Sequence, residues 1–324
     1  MTADSTSLSA ATPPPAPARA PAALGLALRD IKIAHSVFAL PFAVLGACLA
    51  TPALADPPPA DAPAAWRTFA GQLALVVACM VFARTWAMLV NRIADRRFDA
   101  ANPRTAKRAV ASGQLSVRHA RLFALASALL FMLCCAGFLL FFGNPWPLIL
   151  GAPTLGWIAF YSFTKRFTWA AHLFLGGALA ASPAAAAIAV CPPALHTVPA
   201  IFLLVFMVFC WVAGFDILYA QQDMDFDRAA GLQSIPARVG PEASRWISRA
   251  LHLLAWLALV AAWASEPRWQ AGFGVAVLLT GALLLWEHLH FARRGIMGLP
   301  LAFGLINGIV SCALGVAGVA DLLI

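Results

Sequence analysis

Charge is scarce in this chain. Of its 324 residues, 11% are Asp, Glu, Lys or Arg and 62% are hydrophobic. The mean hydropathy is +0.81. Soluble globular domains carry about 25% charged residues, so this composition excludes an ordinary soluble fold. No G-x-x-x-x-G-K-[ST] stretch is present to cradle a nucleotide. The seven cysteines (48, 79, 134, 135, 191, 210 and 312) include no C-x-x-C pair and fall in or at the ends of apolar runs. Neither a disulfide framework nor a zinc site is expected from them, and their expected role is packing.

What the chain has instead is long hydrophobic runs. A membrane span needs about 20 mostly apolar residues. Nine segments qualify: 31–50, 68–90, 121–142, 146–163, 169–190, 199–221, 245–264, 270–290 and 299–322, the fourth interrupted by Pro147 and Pro153. Lipid leaves only helical bundles or closed barrels for a spanning chain, and barrel strands alternate where these runs do not. The fold class expected is an all-α polytopic membrane bundle. Residues 1–25, rich in Ala, Pro, Ser and Thr, read as a disordered tail, with the membrane domain over 26–324.

Basic residues orient the bundle. With these spans, nineteen of the 22 Lys and Arg fall on one side, leaving Arg67 and Arg268 opposite and Arg84 inside the second span. The basic side is expected to be cytoplasmic, which places the N-terminus inside. Anionic lipid headgroups account for the net charge of +8. Because the basic residues are spread over membrane-edge loops, no nucleic-acid partner is expected.

Five of the 14 acidic residues sit in two short stretches, Asn91-Arg-Ile-Ala-Asp95-Arg-Arg-Phe-Asp99 and Gln222-Asp223-Met-Asp225-Phe-Asp227. Residues four apart share a helical face. Arg84, Asn91, Asp95 and Asp99 therefore form one polar stripe, and Asp216, Tyr219, Asp223 and Asp227 a second; Asp225 is out of phase. Ionisable residues in a membrane point to function rather than to a solvated loop. Paired carboxylates suit a hard cation such as Mg²⁺, which completes its shell with substrate phosphates. Lys107, Arg108, Lys165, Arg166 and Arg238 stand near the two stretches and suit the same phosphates. The implied ligand is a lipid diphosphate, its head at the membrane surface and its tail in the bundle.

These motifs resemble the signature motifs of the UbiA superfamily of intramembrane aromatic prenyltransferases. They are Asn91-x-x-x-Asp95-x-x-x-Asp99, Tyr219-x-x-Gln222-Asp223-x-x-x-Asp227-x-x-x-Gly231-x-x-Ser234, and Lys165-Arg166 after Tyr161. The resemblance covers about residues 25–322. It implies Mg²⁺-assisted ionisation of a polyprenyl diphosphate, followed by attack of an electron-rich aromatic acid. Asn91, Asp95, Asp99, Asp223 and Asp227 would hold the metal–diphosphate unit, with Gln222 beside it. Lys165 and Arg166 would take up leaving-group charge, Lys107 and Arg108 would bind phosphate, and Asp216 and Tyr219 would face the ring. Arg84 would meet the acceptor carboxylate, or else serve as a structural partner of Asp216 or Asp95. Many members carry Asn-Asp where this chain has Asn91-Arg92, and Arg-Pro-x-Pro-Ser-Gly where it has Arg108-Ala-Val-Ala-Ser112-Gly113. The flanking residues look like a subgroup labelled 4-hydroxybenzoate polyprenyltransferase, which also contains enzymes that prenylate 1,4-dihydroxy-6-naphthoate on the futalosine route to menaquinone. The resemblance points first to 4-hydroxybenzoate, with 1,4-dihydroxy-6-naphthoate as the alternative acceptor. The rival from another class is a secondary transporter, which would hold its charges near the bilayer midplane on broken helices.

Two smaller features complete the reading. Lys32 and His35 at the start of the first run are expected at the membrane interface or near the diphosphate. Glu287, His288 and His290 cluster near the end of the eighth run, without the ligand count of a metal site.

Overall fold

The computed structural model describes residues 23–27, 38–55 and 57–324. Lys32, His35 and most of the N-terminal tail lie outside these residues. Eleven helices carry the architecture: α1 (Leu40–Ala50), α2 (Ala62–Ala94), α3 (Arg96–Ala101), α4 (Val117–Phe142), α5 (Trp146–Thr164) and α6 (Ala171–Val190), then α7 (Ala200–Ala220), α8 (Met224–Ala229), α9 (Ile235–Ser265), α10 (Ala271–Arg294) and α11 (Asn307–Leu323). There is no strand among the described residues. The chain is an all-α, polytopic membrane protein.

Seven helical stretches are long and apolar enough to cross a membrane by length and composition. They answer to seven of the nine expected runs. The run at 146–163 is also one helix, Trp146–Thr164, with Pro153 inside it. Its two prolines and scattered polar residues dilute its hydropathy without breaking it. The first run is described only from Phe38 onward. Residues 23–27 form a helical turn whose Ala23 and Ala27 are buried beside Leu89, Val110 and Leu115. This turn overlaps the end of the stretch read as tail, and its small alanines fill a gap between α2 and the following connection.

The helix ends follow from local chemistry. Asp61 accepts a hydrogen bond from the Ala64 amide and Pro63 starts α2, while Ser116 and Ser234 cap α4 and α9 in the same way. Inside the bundle, Trp211 donates from Nε1 to Asn307 Oδ1 at 2.8 Å and packs edge-on against Phe215. His252, from α9, and His288, from α10, share a hydrogen bond of 3.0 Å, with Glu287 buried alongside.

Helices α1 and α6 meet backbone to backbone at Gly46 and Pro183. A Cβ on Gly46 would lie 2.3 Å from the Pro183 carbonyl oxygen and 2.7 Å from its Cα. Those are backbone atoms, which have no rotamer to yield. Gly46→Leu is therefore expected to destabilise the protein by about 3 kcal/mol through overpacking. Thermal unfolding in detergent checks this, and an unchanged midpoint would contradict it.

Candidate active site

Both acidic stretches lie where a long helix breaks and briefly resumes. At Asp95 the backbone leaves α2 (φ −90°, ψ 6°) and re-enters as α3, although Asp99 still donates its amide to the Asp95 carbonyl at 2.8 Å. In the second half a single 3₁₀ turn, Gln221–Asp223, separates α7 from α8. The four-residue spacing survives each break. Arg84, Asn91, Asp95 and Asp99 accordingly line the same cavity as Asp216, Tyr219, Asp223 and Asp227. Asp225 points away, its side chain 93% exposed beside Arg228.

Basic side chains close the cavity mouth, one to each carboxylate. Arg108 Nη1 lies 2.7 Å from Asp99 Oδ1, Lys165 Nζ 3.1 Å from Asp227 Oδ2, and Arg166 Nη2 3.3 Å from Asp95 Oδ1. Arg104 grips both Asp223 oxygens, through Nε at 2.8 Å and through Nη2, and also donates to the Tyr219 hydroxyl at 3.0 Å. Asn102 adds a hydrogen bond of 3.0 Å to Asp223 Oδ1. The adjacent residues Lys165 and Arg166 thus reach opposite stretches, and Arg104 carries the first connection across to the second. Gly231, at φ +68°, turns the chain so that the Gln233 amide donates to the Lys165 carbonyl at 2.7 Å. That bond fixes the basic turn beside Asp227.

Among the described residues, no three His, Cys, Asp or Glu side chains are grouped to hold a metal ion. The carboxylates share the cavity wall, but each is drawn onto its own cation. Their chemistry nevertheless fits a hard divalent ion: the donors are all oxygens, and Asp99 Oδ2 is buried with no hydrogen-bond partner. Asp95 also bonds the Asn91 amide at 2.9 Å. Burial, with the Asp99 charge adding to it, holds the Asp95 carboxyl above the usual carboxylate range against the pull of Arg166 and Lys165.

Deeper in the cavity the wall turns apolar. The volume is about 1040 Å³, and the lining runs past Arg84, Tyr161 and Asp216 to Val76, Cys79, Phe131 and Phe138. Phe38, Trp157 and Phe215 offer aromatic faces along it. Arg84 pairs with neither Asp95 nor Asp216; its Nε is buried without a hydrogen-bond partner. Asp216 is held instead by His172, whose Nδ1 lies 2.6 Å from Asp216 Oδ2.

The placement sorts the expected residues. Arg84, Asn91, Lys107, Arg108, Lys165 and Arg166 all line the cavity, as do the five expected catalytic aspartates and Tyr219. Gln222 does not, because the 3₁₀ turn swings its amide back onto the Tyr219 carbonyl at 2.9 Å. Arg238 is also absent from the lining and stacks on Trp169. Asn102 and Arg104 also hold Asp223, and His172 holds Asp216, although no motif spacing marks these three. In the sequence Arg104 is one basic residue in a basic loop.

Comparison with known proteins decides the family. The profile of the UbiA prenyltransferase family matches residues 39–297. The chain belongs to that family. It is a prenyltransferase, which sets the transporter reading aside. It is 32% identical over 228 residues to a 4-hydroxybenzoate octaprenyltransferase of Edwardsiella ictaluri, covering 69% of this chain and 75% of the relative. A relative of the same description from Citrobacter koseri is 31% identical over 218 residues, covering 66% and 71%. Among solved structures, a UbiA homolog from Aeropyrum pernix K1 superposes with a TM-score of 0.75 at 29% identity, covering 90% of this prenyltransferase and 98% of that chain. A UbiA homolog from Archaeoglobus fulgidus, bound to GPP and Mg²⁺, shares the fold at a TM-score of 0.64 and 19% identity, covering 92% and 100%.

Proposed function

We propose that this prenyltransferase moves a polyprenyl group from its diphosphate to an aromatic acid, 4-hydroxybenzoate, in the making of membrane quinones. Nine spans with the N-terminus inside would place the cavity mouth at the cytoplasmic face of an inner membrane. One observation carries the reading: two carboxylate stripes and a ring of basic side chains meet at the mouth of a single cavity whose far end is apolar. The names of the curated relatives support the choice of acceptor.

Asn91, Asp95, Asp99, Asp223 and Asp227 would hold Mg²⁺, which when bound neutralises charge on the diphosphate. Arg104, Lys107, Arg108, Lys165 and Arg166 take up the charge that develops as the allylic C–O bond breaks and its electron pair leaves on the diphosphate. The prenyl tail lies along the apolar wall, whose aromatic faces steady the allylic cation. Arg84 receives the acceptor carboxylate. The ring carbon beside the hydroxyl bonds to the prenyl carbon, and Asp216, with Tyr219 next to it, receives the proton that this carbon then loses.

The test is an assay of membranes supplied with a polyprenyl diphosphate and either 4-hydroxybenzoate or 1,4-dihydroxy-6-naphthoate, with and without EDTA. The expected result is prenylated 4-hydroxybenzoate that disappears on chelation and returns with added Mg²⁺. Product only from the naphthoate would overturn the acceptor, and product that survives EDTA would overturn the metal.

A further inference from the structure

We propose that His172 is a positioning residue that holds Asp216 ionised and aimed as the proton acceptor of the transfer; this rests on the aromatic prenylation proposed above. His172 stands at the start of α6 and is fully buried, while Asp216, on α7, lines the cavity. The 2.6 Å contact between Nδ1 and Oδ2 requires one proton between them. The other ring nitrogen, Nε2, is buried with no hydrogen-bond partner. A buried N–H without an acceptor is rarer than a buried lone pair without a donor. The hydrogen-bond pattern therefore assigns the proton to Nδ1, leaving a neutral imidazole that donates to an anionic carboxylate.

Tying Oδ2 back to His172 leaves Oδ1 for the cavity. Arg84 from α2, Tyr161 from α5 and Tyr219 from α7 line the same space. The chemistry needs an acceptor there. Once the new carbon–carbon bond has formed, the substituted ring carbon still carries its hydrogen. That hydrogen must leave as a proton while the C–H electron pair returns to the ring. An anionic Asp216 takes it on Oδ1 and becomes a carboxylic acid. Without a donor behind it, the carboxylate is free to turn to another partner, and so turned it presents no oxygen to the ring. His172 touches no substrate and acts only through Asp216.

Two variants separate orientation from packing. His172→Asn places an amide N–H near the position of Nδ1 and keeps the hydrogen bond. His172→Phe fills the ring's space and loses it; His172→Leu makes the same loss should phenylalanine fail to fold. Each is purified in detergent and checked for its melting midpoint and for Mg²⁺-dependent prenyl diphosphate binding. Turnover is then measured with 4-hydroxybenzoate carrying hydrogen or deuterium at the ring carbons beside the hydroxyl. For His172→Phe we expect kcat to fall by about 10²-fold, the scale of lost proton-transfer catalysis, with donor binding intact and a primary isotope effect that the native enzyme lacks. His172→Asn should stay within about tenfold of native and show a smaller isotope effect.

A folded, donor-binding His172→Phe or His172→Leu protein that keeps native kcat overturns the inference. So does one that loses kcat without an isotope effect, because proton removal has then not slowed and the diphosphate itself is the better base. Failure of the native enzyme to prenylate either aromatic acid overturns the proposed function, and this inference with it.

Discussion

Asp223→Ala is expected to lower prenyl-transfer kcat by about 10³-fold, the scale of removing a group that stabilises transition-state charge. Asp223 is gripped by Nε and Nη2 of the Arg104 guanidinium and by Asn102. In the proposed mechanism it is also a metal ligand, so the substitution removes a ligand and frees a cation together. Asp95→Ala should behave alike, since Asp95 links Asn91 to Arg166. Folding should survive both changes. Arg104 and Arg166 are each about one-third exposed, so water can take over the freed guanidinium, and exposed pairs contribute little to stability. Asp223→Asn sharpens the test, because it keeps an oxygen for Arg104 but not the charge. It should remain near the alanine variant in activity. Membrane assays with saturating donor and Mg²⁺, alongside thermal unfolding, check all three. Activity within tenfold of native in the alanine variants would remove the clamp from the mechanism.

The second large effect is expected at Arg84. Its guanidinium lies in a membrane-spanning helix, lines the cavity, and has a buried Nε without a hydrogen-bond partner. Such a group costs desolvation and gives nothing back until a ligand arrives. Hydrogen bonds to a charged partner contribute about 1.5–3 kcal/mol. Arg84→Leu should therefore raise the KM for a carboxylated acceptor by about ten- to a hundredfold. The KM for the diphosphate should stay unchanged, and stability should hold or rise. A structural arginine predicts the reverse, a lower melting midpoint with acceptor KM unaffected. Varying the acceptor at fixed donor, with melting curves in parallel, separates the two.

The parts of the site legible in the sequence were those written along one helix. Asn91, Asp95 and Asp99 declare a common face by their spacing, and the helix breaks at Asp95 and Gln221–Asp223 leave that face intact. What stayed hidden depends on contacts across the chain. Arg104 finds Asp223 119 residues away, and His172 finds Asp216 44 residues away. His172 is a single polar residue at the start of an apolar helix, with no periodic companion to mark it. Gln222 shows the converse failure. It sits inside the right motif, but one tight turn decides which neighbouring glutamine faces inward, and Gln221 takes the buried place against Ser244. In the fold, apolar run length located most of the helices. It could not anticipate that Ala23 and Ala27 pack beside Leu89, since alanine-rich segments carry little signal of their own.

The one-to-one matching of Asp95, Asp99, Asp223 and Asp227 with Arg166, Arg108, Arg104 and Lys165 has a consequence for how donor and metal arrive. An oxygen or N–H committed to one of these ion pairs can serve a ligand only once that pair opens. A diphosphate alone would draw the cations away and strand four carboxylates beside an anion. A metal alone would strand the cations. Taken up together, the two permit a swap in which every charge leaves one partner and gains another, and little net charge enters the membrane edge. In the proposed mechanism the site would work by metathesis. Donor and metal should each tighten the other's binding by the same factor, as linkage between two ligands requires.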